Sequence, residues 1–365
     1  MKPETLTTQE RIIFELRELY QSYGYRPYKV GKFEEYDLYM RNKKFLASEQ
    51  VLTFSDTNGK LKALKPDVTL SIVKNAKDDG RTQKLCYTET VYRVPRNAYG
   101  FREIMQTGLE CIGRVDDYAA GEVLMLAARS LSKISSRYVL DVSDVGVLSG
   151  VLAEEPIGDG ECAKLLMLVG EKNLHGLSAA CAELGVTDRT AQRLHALVLA
   201  CGPLDETLTS EEALDLPQTS REALAGLRRM SDMLKAYGIA NVNLDFSVVN
   251  DMDYYNGLVF RGFVEGIPAG ILAGGRYDNL LLRMGKHGEA IGFAVYLDQL
   301  ERNLATKPAL EAEALVLYDD ATNPLEIVRA TERLRARGMS FRVQREDEPC
   351  PTCREIVRLT KEIDA

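Results

Sequence analysis

Two strand-like stretches, residues 84–93 and 102–113, joined by a short segment containing Pro95 and Gly100, constrain this chain more than any other feature. The simplest reading is a long antiparallel hairpin. Side chains alternate across a strand, so Met105, Leu109 and Cys111 share one face, while Arg102, Gln106, Gly108 and Glu110 share the other. One face can enter an apolar core. The second carries a guanidinium, an amide, a gap and a carboxylate. A solvated sheet face would also be polar, but a glycine inside a strand gives up packing mainly where a ligand or another backbone comes close.

The rest of the chain can support such a sheet. Its 365 residues, 45% of them apolar, suffice for a large core and more than one domain. Lys and Arg number 46 against 54 Asp and Glu, so the net charge is −8 and offers no general field for nucleic acid phosphates. No apolar run is long enough for a membrane span, and the start MKPETLTTQE lacks the basic and apolar regions of a secretory signal. A soluble cytoplasmic protein is expected. Seven cysteines in a chain of this length read as reduced thiols.

Capping-box spacing at Thr7 and Glu10 starts a helix with Ile12, Ile13, Leu16, Leu19 and Tyr20 on one face, and Gly24 closes it. Residues 50–54 and 61–64 read as short strands around an Asn58-Gly59 turn, and Pro66 starts a helix over 67–76. Residues 119–134 are helical, and 147–237 are almost entirely so. Strand character returns at 242–249, 257–263 and 269–272, followed by a glycine turn, Gly274-Gly275-Arg276-Tyr277-Asp278, and a small-residue strand over 290–295. A β-α-β unit closes the chain, with Asn323 as N-cap, Pro324 at N1 and Gly338 at C′; Lys307-Pro308 and the Glu/Ala run after it read as its linker. The expected domains are a core over 1–312 and a C-terminal domain over 313–365.

Composition and spacing point to no nucleophile or metal centre. His175, His195 and His287 are scattered and without partners at ligand spacing. Cys350-Pro-Thr-Cys353 has no second pair to complete a zinc site and reads as two ordinary thiols. No catalytic residue, cofactor or metal is expected.

As an ordered set, Leu64-Lys65-Pro66-Asp67-Val68-Thr69, Val91-Tyr92-Arg93, the 102–113 strand, Asp253-Tyr254-Tyr255, Gly274 to Asp278 and Ile291-Gly292-Phe293-Ala294 resemble the class II histidyl-tRNA synthetases over about residues 8–304. The resemblance implies an α+β fold: an antiparallel sheet flanked by helices, with a small C-terminal α/β unit that looks like a shortened version of that family's last domain. It also implies a histidine pocket built from Asp67, Thr69, Arg93, Arg102, Gln106, Glu110, Tyr254 and Tyr255. Imidazole nitrogens both donate and accept hydrogen bonds, which suits a carboxylate beside an amide and a tyrosine.

The departures matter as much. Where the synthetases carry a catalytic Arg this sequence has Asn250, with Asp251 beside it; where their third motif carries an ATP-stacking Arg it has Gln299. Tyr99-Gly100 replaces a Gly-Arg, and Gly31 replaces the first-motif Pro. Neutral residues cannot replace Arg at phosphate. A histidine pocket without ATP chemistry is similar to the ATP phosphoribosyltransferase regulatory subunits, synthetase paralogues that pair with a short catalytic subunit at the first step of histidine biosynthesis and take part in feedback inhibition. The resemblance implies that catalytic subunit as partner, histidine as ligand, and a homodimer within a larger hetero-oligomer, with no nucleic acid or membrane. The alternatives are a divergent active synthetase and an amino-acid-sensing pseudo-synthetase with another partner.

Overall fold

The computed structural model describes residues 6–46, 50–94, 100–212, 214–248, 254–303 and 311–359. The chain divides into two compact units, Met1–Leu304 and Ala305–Ala365.

In the first unit α1 (Thr8–Ser22) begins at the expected capping box, with Glu10 N donating to Thr7 Oγ1 and Thr7 N to Glu10 Oε2. It ends at Gly24, whose φ of 82° suits glycine. A two-residue strand β1 (Arg26–Pro27) follows, then β2 (Phe33–Glu35), α2 (Tyr36–Arg41), β3 (Thr53–Ser55) and β4 (Leu61–Leu64). Three of these make a small sheet in the order β2-β4-β3, turning at Gly59 as its Asn-Gly predicts. Helix α3 (Thr69–Asn75) leads into the long hairpin β5 (Gln83–Arg93) and β6 (Arg102–Gly113), paired in antiparallel register from Gln83↔Ile112 to Arg93↔Arg102.

Next come α4 (Asp117–Ile134), β7 (Tyr138–Asp144) and a helical stretch of α5 (Val145–Leu152), α6 (Asp159–Gly170), α7 (Leu174–Leu184) and α8 (Asp188–Leu199). A short β8 (Cys201–Pro203), α9 (Leu204–Glu211) and α10 (Gln218–Ala236) complete that stretch. The chain returns through β9 (Val242–Asp245), β10 (Leu258–Val264), β11 (Leu272–Arg276), α11 (Asp278–Arg283), β12 (Glu289–Tyr296) and α12 (Asp298–Asn303). Among the described residues the main sheet has nine strands in the order β1-β5-β6-β12-β11-β10-β7-β9-β8, antiparallel except for β1–β5 and β7–β9. The hairpin and the C-terminal strands, far apart in sequence, are therefore neighbours through β6 and β12.

Each face of this sheet has its own cover. Leu109 and Cys111 of β6 are buried in a core with Ile12, Leu16 and Tyr20 of α1 and with α4, whose Val123, Leu124, Leu126, Ala127 and Leu131 are fully buried. Ile112, from the other face of β6, packs in a second cluster with Leu70 and Val73 of α3 and Leu280 and Leu281 of α11. That second face is not solvated: Gln106 and Glu110 are each 2% exposed.

The second unit is a parallel sheet, β14 (Phe341–Arg345)-β13 (Ala314–Tyr318)-β15 (Glu355–Arg358), with α13 (Pro324–Ala336) between β13 and β14 in sequence. Ala330 and Leu334 of α13 cover Ala314 and Val316. Asn323 Oδ1 accepts from Leu325 N, as its N-cap position predicts. The expected β-α-β unit is thus present, with β15 as a third strand that its alternating, half-exposed residues do not signal. The Lys307-Pro308 linker lies outside the described residues.

Three expectations need correction. Gly274-Gly275-Arg276 is not a turn but the body of β11, which begins at Leu272 rather than at 269. The glycines serve close approach instead: a Cβ at Gly274 would lie 2.4 Å from Phe293 Cβ, and one at Gly275 would lie 2.6 Å from the Tyr255 ring. The 242–249 strand ends at Asp245, whose Oδ1 accepts from Ser247 N and turns the backbone. The third is β7, which fills a stretch between two helices to which the sequence reading assigns no element.

Gly274→Ala should lower unfolding free energy by about 1–3 kcal/mol, since backbone and a packed ring must move. Gly160→Ala, at an open site in α6, should not destabilise. Urea midpoints with unchanged m-values check both.

Candidate functional site

The polar face of β6 opens on a cavity of about 60 Å³, several times the roughly 10–15 Å³ that one water needs. Asp67 and Thr69 come to it from the start of α3, Arg93 from β5, Gln106 and Glu110 from β6, and Tyr254 and Tyr255 from the segment before β10. Seven of the eight expected residues therefore converge. Arg102 does not. It shares the face, but it stands four residues before Gln106, about 13 Å along the strand, exposed at its start.

Glu110 anchors the floor. Tyr277 Oη donates to its Oε2 at 2.6 Å and Thr69 Oγ1 to its Oε1 at 2.8 Å. Burial pushes this carboxyl up to about 8; the two hydroxyls oppose the shift and Asp67 adds to it. Across the sheet Gly292 stands in register with Glu110, and a Cβ there would come within 1.8 Å of Oε2, so glycine is what admits the acid. Gly108 likewise gives its place to the Tyr87 ring: a Cβ would meet Tyr87 Oη at 2.8 Å and Phe293 O at 2.2 Å.

Asp67 has two tasks. Its Oδ1 accepts from Leu70 N and holds the first turn of α3, while Oδ2 lies 3.5 Å from Arg93 Nη2. Burial raises this carboxyl even so, with Arg93 pulling the other way. Arg93 Nε also donates to Pro66 O, which ties the helix start to β5. Nearby, Lys65 is 1% exposed and its Nζ lies 2.5 Å from Glu89 Oε2, whose Oε1 accepts from Val30 N. Gln106 Nε2 is buried with no partner among the described residues. A donor left this way normally costs about 1–3 kcal/mol, so it marks where a ligand acceptor fits. The cavity thus offers an open donor at Gln106, a carboxyl pushed up by burial at Glu110 and a second carboxyl, Asp67, beside Arg93, all among aromatic rings, a set matched to a small ligand with cationic and acceptor groups.

Sequence reasoning missed Tyr277 as a site residue, along with Tyr87, Gly292 and Tyr296. Tyr277 was visible inside the glycine motif; its link to Glu110 needed the β6–β12–β11 register. Asn250, Asp251 and Asp253 lie outside the described residues, as does Tyr99. Gln299 lies on α12, its Nε2 3.4 Å from Asp298 Oδ2. Among the described residues no His, Cys, Asp and Glu group could hold a metal ion, and all seven cysteines, Cys350 and Cys353 included, are free. His195 Nε2 lies 2.9 Å from Ser178 Oγ, and His287 Nδ1 lies 3.1 Å from Asp78 at the surface.

The histidyl-tRNA synthetase family model matches residues 1–300, which places the chain among proteins of that class II fold. A crystal structure of an ATP phosphoribosyltransferase regulatory subunit/histidyl-tRNA synthetase from Bacillus halodurans shares the fold at a TM-score of 0.79 and 24% identity, covering 96% of this chain and 93% of that one. An ATP phosphoribosyltransferase regulatory subunit from Alkaliphilus metalliredigens is 27% identical, over 92% of this chain and 87% of that protein. One from Thermoanaerobacter sp. is 31% identical, over 81% and 79%. The chain belongs to the ATP phosphoribosyltransferase regulatory subunit family. Among its described residues, no helix is long and apolar enough to cross a membrane.

A group whose folded pKa is raised contributes stability that is present below its unfolded value, near 4.5, and is lost as pH rises through about 8. Glu110→Gln, which mimics the protonated acid, should therefore gain on wild type between pH 5 and pH 8 by an amount on the order of a few kcal/mol. Urea unfolding of both proteins at the two pH values measures this gap; an equal gap at both would contradict it.

Proposed function

We propose that this chain is the non-catalytic subunit that binds and activates a short-form ATP phosphoribosyltransferase catalytic subunit at the first step of histidine biosynthesis. Free histidine in the cavity at Glu110 passes feedback inhibition to that partner. The observation that supports the ligand assignment is the buried Nε2 of Gln106, without a partner among the described residues, in a cavity that also carries Asp67 and the Glu110 carboxyl, which burial pushes up to about 8. A histidine zwitterion supplies what this set lacks: an ammonium for Asp67, a carboxylate for the Gln106 amide, and a ring for Glu110 with Tyr255 beside it. Thr69, Arg93 and Tyr254 form the walls. Residues 1–312 act as the synthetase-like core and 313–365 as an accessory domain. The subunit works in the cytoplasm as a homodimer within the hetero-oligomer, without nucleic acid.

Regulation at a distance requires histidine to bind the less active arrangement of the complex more tightly, and couplings of about 1–3 kcal/mol are typical. Mixing the full chain with the short catalytic subunit of the same genome should give co-elution and faster phosphoribosyl-ATP formation, reduced by histidine. Failure of the two to associate at micromolar concentration would refute the assignment. Gln106→Ala removes the amide that receives the ligand's charged group, and should raise the half-inhibitory histidine concentration about tenfold or more while leaving activation intact.

The chain should also show no histidine-dependent pyrophosphate exchange. Each Arg replaced in the synthetase set, at Asn250 and Gln299, is expected to cost on the order of 2.7–4 kcal/mol of transition-state stabilisation. Exchange at an ordinary synthetase rate would establish the enzyme reading instead.

A further inference from the structure

A carboxyl receiving two hydroxyl donors has one further proton position, and here that position matters. Thr69 Oγ1 and Tyr277 Oη donate to opposite oxygens of Glu110, at 2.8 and 2.6 Å, and the carboxyl also lines the cavity. The acid is 2% exposed, and its neighbour across the sheet is the bare Gly292. The cavity is where that proton can be given.

We infer that Glu110 and the ligand's ring hold one proton between them: the site admits a neutral imidazole, whose ring nitrogen accepts a hydrogen bond from the protonated Glu110 carboxyl, with Tyr277 as the positioning residue for that carboxyl. This rests on the histidine reading above and states which protonation form the site selects. No covalent bond changes: the O–H stays on Glu110 and its hydrogen bond to the ring nitrogen forms, with no proton gained or lost overall. A surface carboxylate would do the opposite and capture a ring already protonated in solution.

The surroundings keep the acid protonated. The groups facing it are Asp67 and Thr69 at the start of α3, Tyr87 of β5, and Tyr254 and Tyr277 from the C-terminal half. Burial holds the three tyrosines well above their ordinary range, so they stay neutral, and Asp67 repels a second negative charge. Arg93, the cation at the cavity, is engaged by Asp67 and Pro66 O. Burial leaves Glu110 near 8, above the imidazole value of about 6.5, so between these limits the free ring is neutral and the free acid protonated.

Calorimetric titration of the full chain, alone and with its catalytic partner, with L-histidine and with 3-(2-thiazolyl)-L-alanine tests the inference. The thiazole ring accepts a hydrogen bond but does not protonate in this range, so the ratio of the two affinities isolates the ring's proton from the amino group and from Asp67. The ratio of histidine to thiazolylalanine affinity should rise about tenfold from pH 5.5 to 7.5, because histidine must shed its proton at the lower pH. A ratio that stays flat or falls would overturn the inference while leaving histidine as the ligand; absence of histidine binding at every pH would remove both. Tyr277→Phe takes away a donor that favours the ionised acid. The variant's thiazolylalanine affinity relative to wild type should therefore rise between pH 7 and 9, whereas a pH-independent loss would mean that Tyr277 only fills space.

Discussion

A carboxyl buried on the polar face of β6 is the constraint around which the sheet is arranged. Burying an acid with its hydrogen bonds unmet is expensive, so three separate parts of the chain attend to Glu110. The start of α3 supplies the Thr69 hydroxyl, the residue after β11 supplies the Tyr277 hydroxyl, and β12 supplies the empty place at Gly292. Gly292 and Tyr277 meet Glu110 through the observed register of β6, β12 and β11, with Glu110 opposite Gly292. A one-residue slip would turn Glu110 into the apolar core against α1 and α4.

The junction before α3 is held as firmly, and again by charge. Asp67 holds the first turn and meets Arg93, which reaches the Pro66 carbonyl; Lys65, one residue earlier, is buried against Glu89. Buried pairs of this kind are weak evidence for net stability, because each ion loses its water. Their effect here is geometric. They fix the Lys65-Pro66-Asp67 run against β5, and with it one side of the cavity.

The two faces of the sheet divide the labour. Apolar packing with α1 and α4 supplies cohesion on one side, and the other is left free to hold polar groups in an orientation set by strand pairing. Gln299 stands on α12 and does not line the cavity, which β6, the start of α3 and the tyrosines enclose.

The sequence by itself determined the local grammar: the Thr7–Glu10 cap, the Asn58-Gly59 turn, the alternation in β6 and the family signature that joins Asp67, Gln106, Glu110 and Tyr255. These depend on neighbours within a few residues, or on motif order. It did not reveal that the polar face of β6 is buried, that Gly274 and Gly275 lie in a strand, that Arg102 falls short of the cavity, or that Tyr277 holds Glu110. The burial of Glu110 and its link to Tyr277 follow from the pairing of β6 with β12, about 180 residues apart in the chain. Period-two alternation says which side a side chain takes, but only the cross-strand register decides what it meets there.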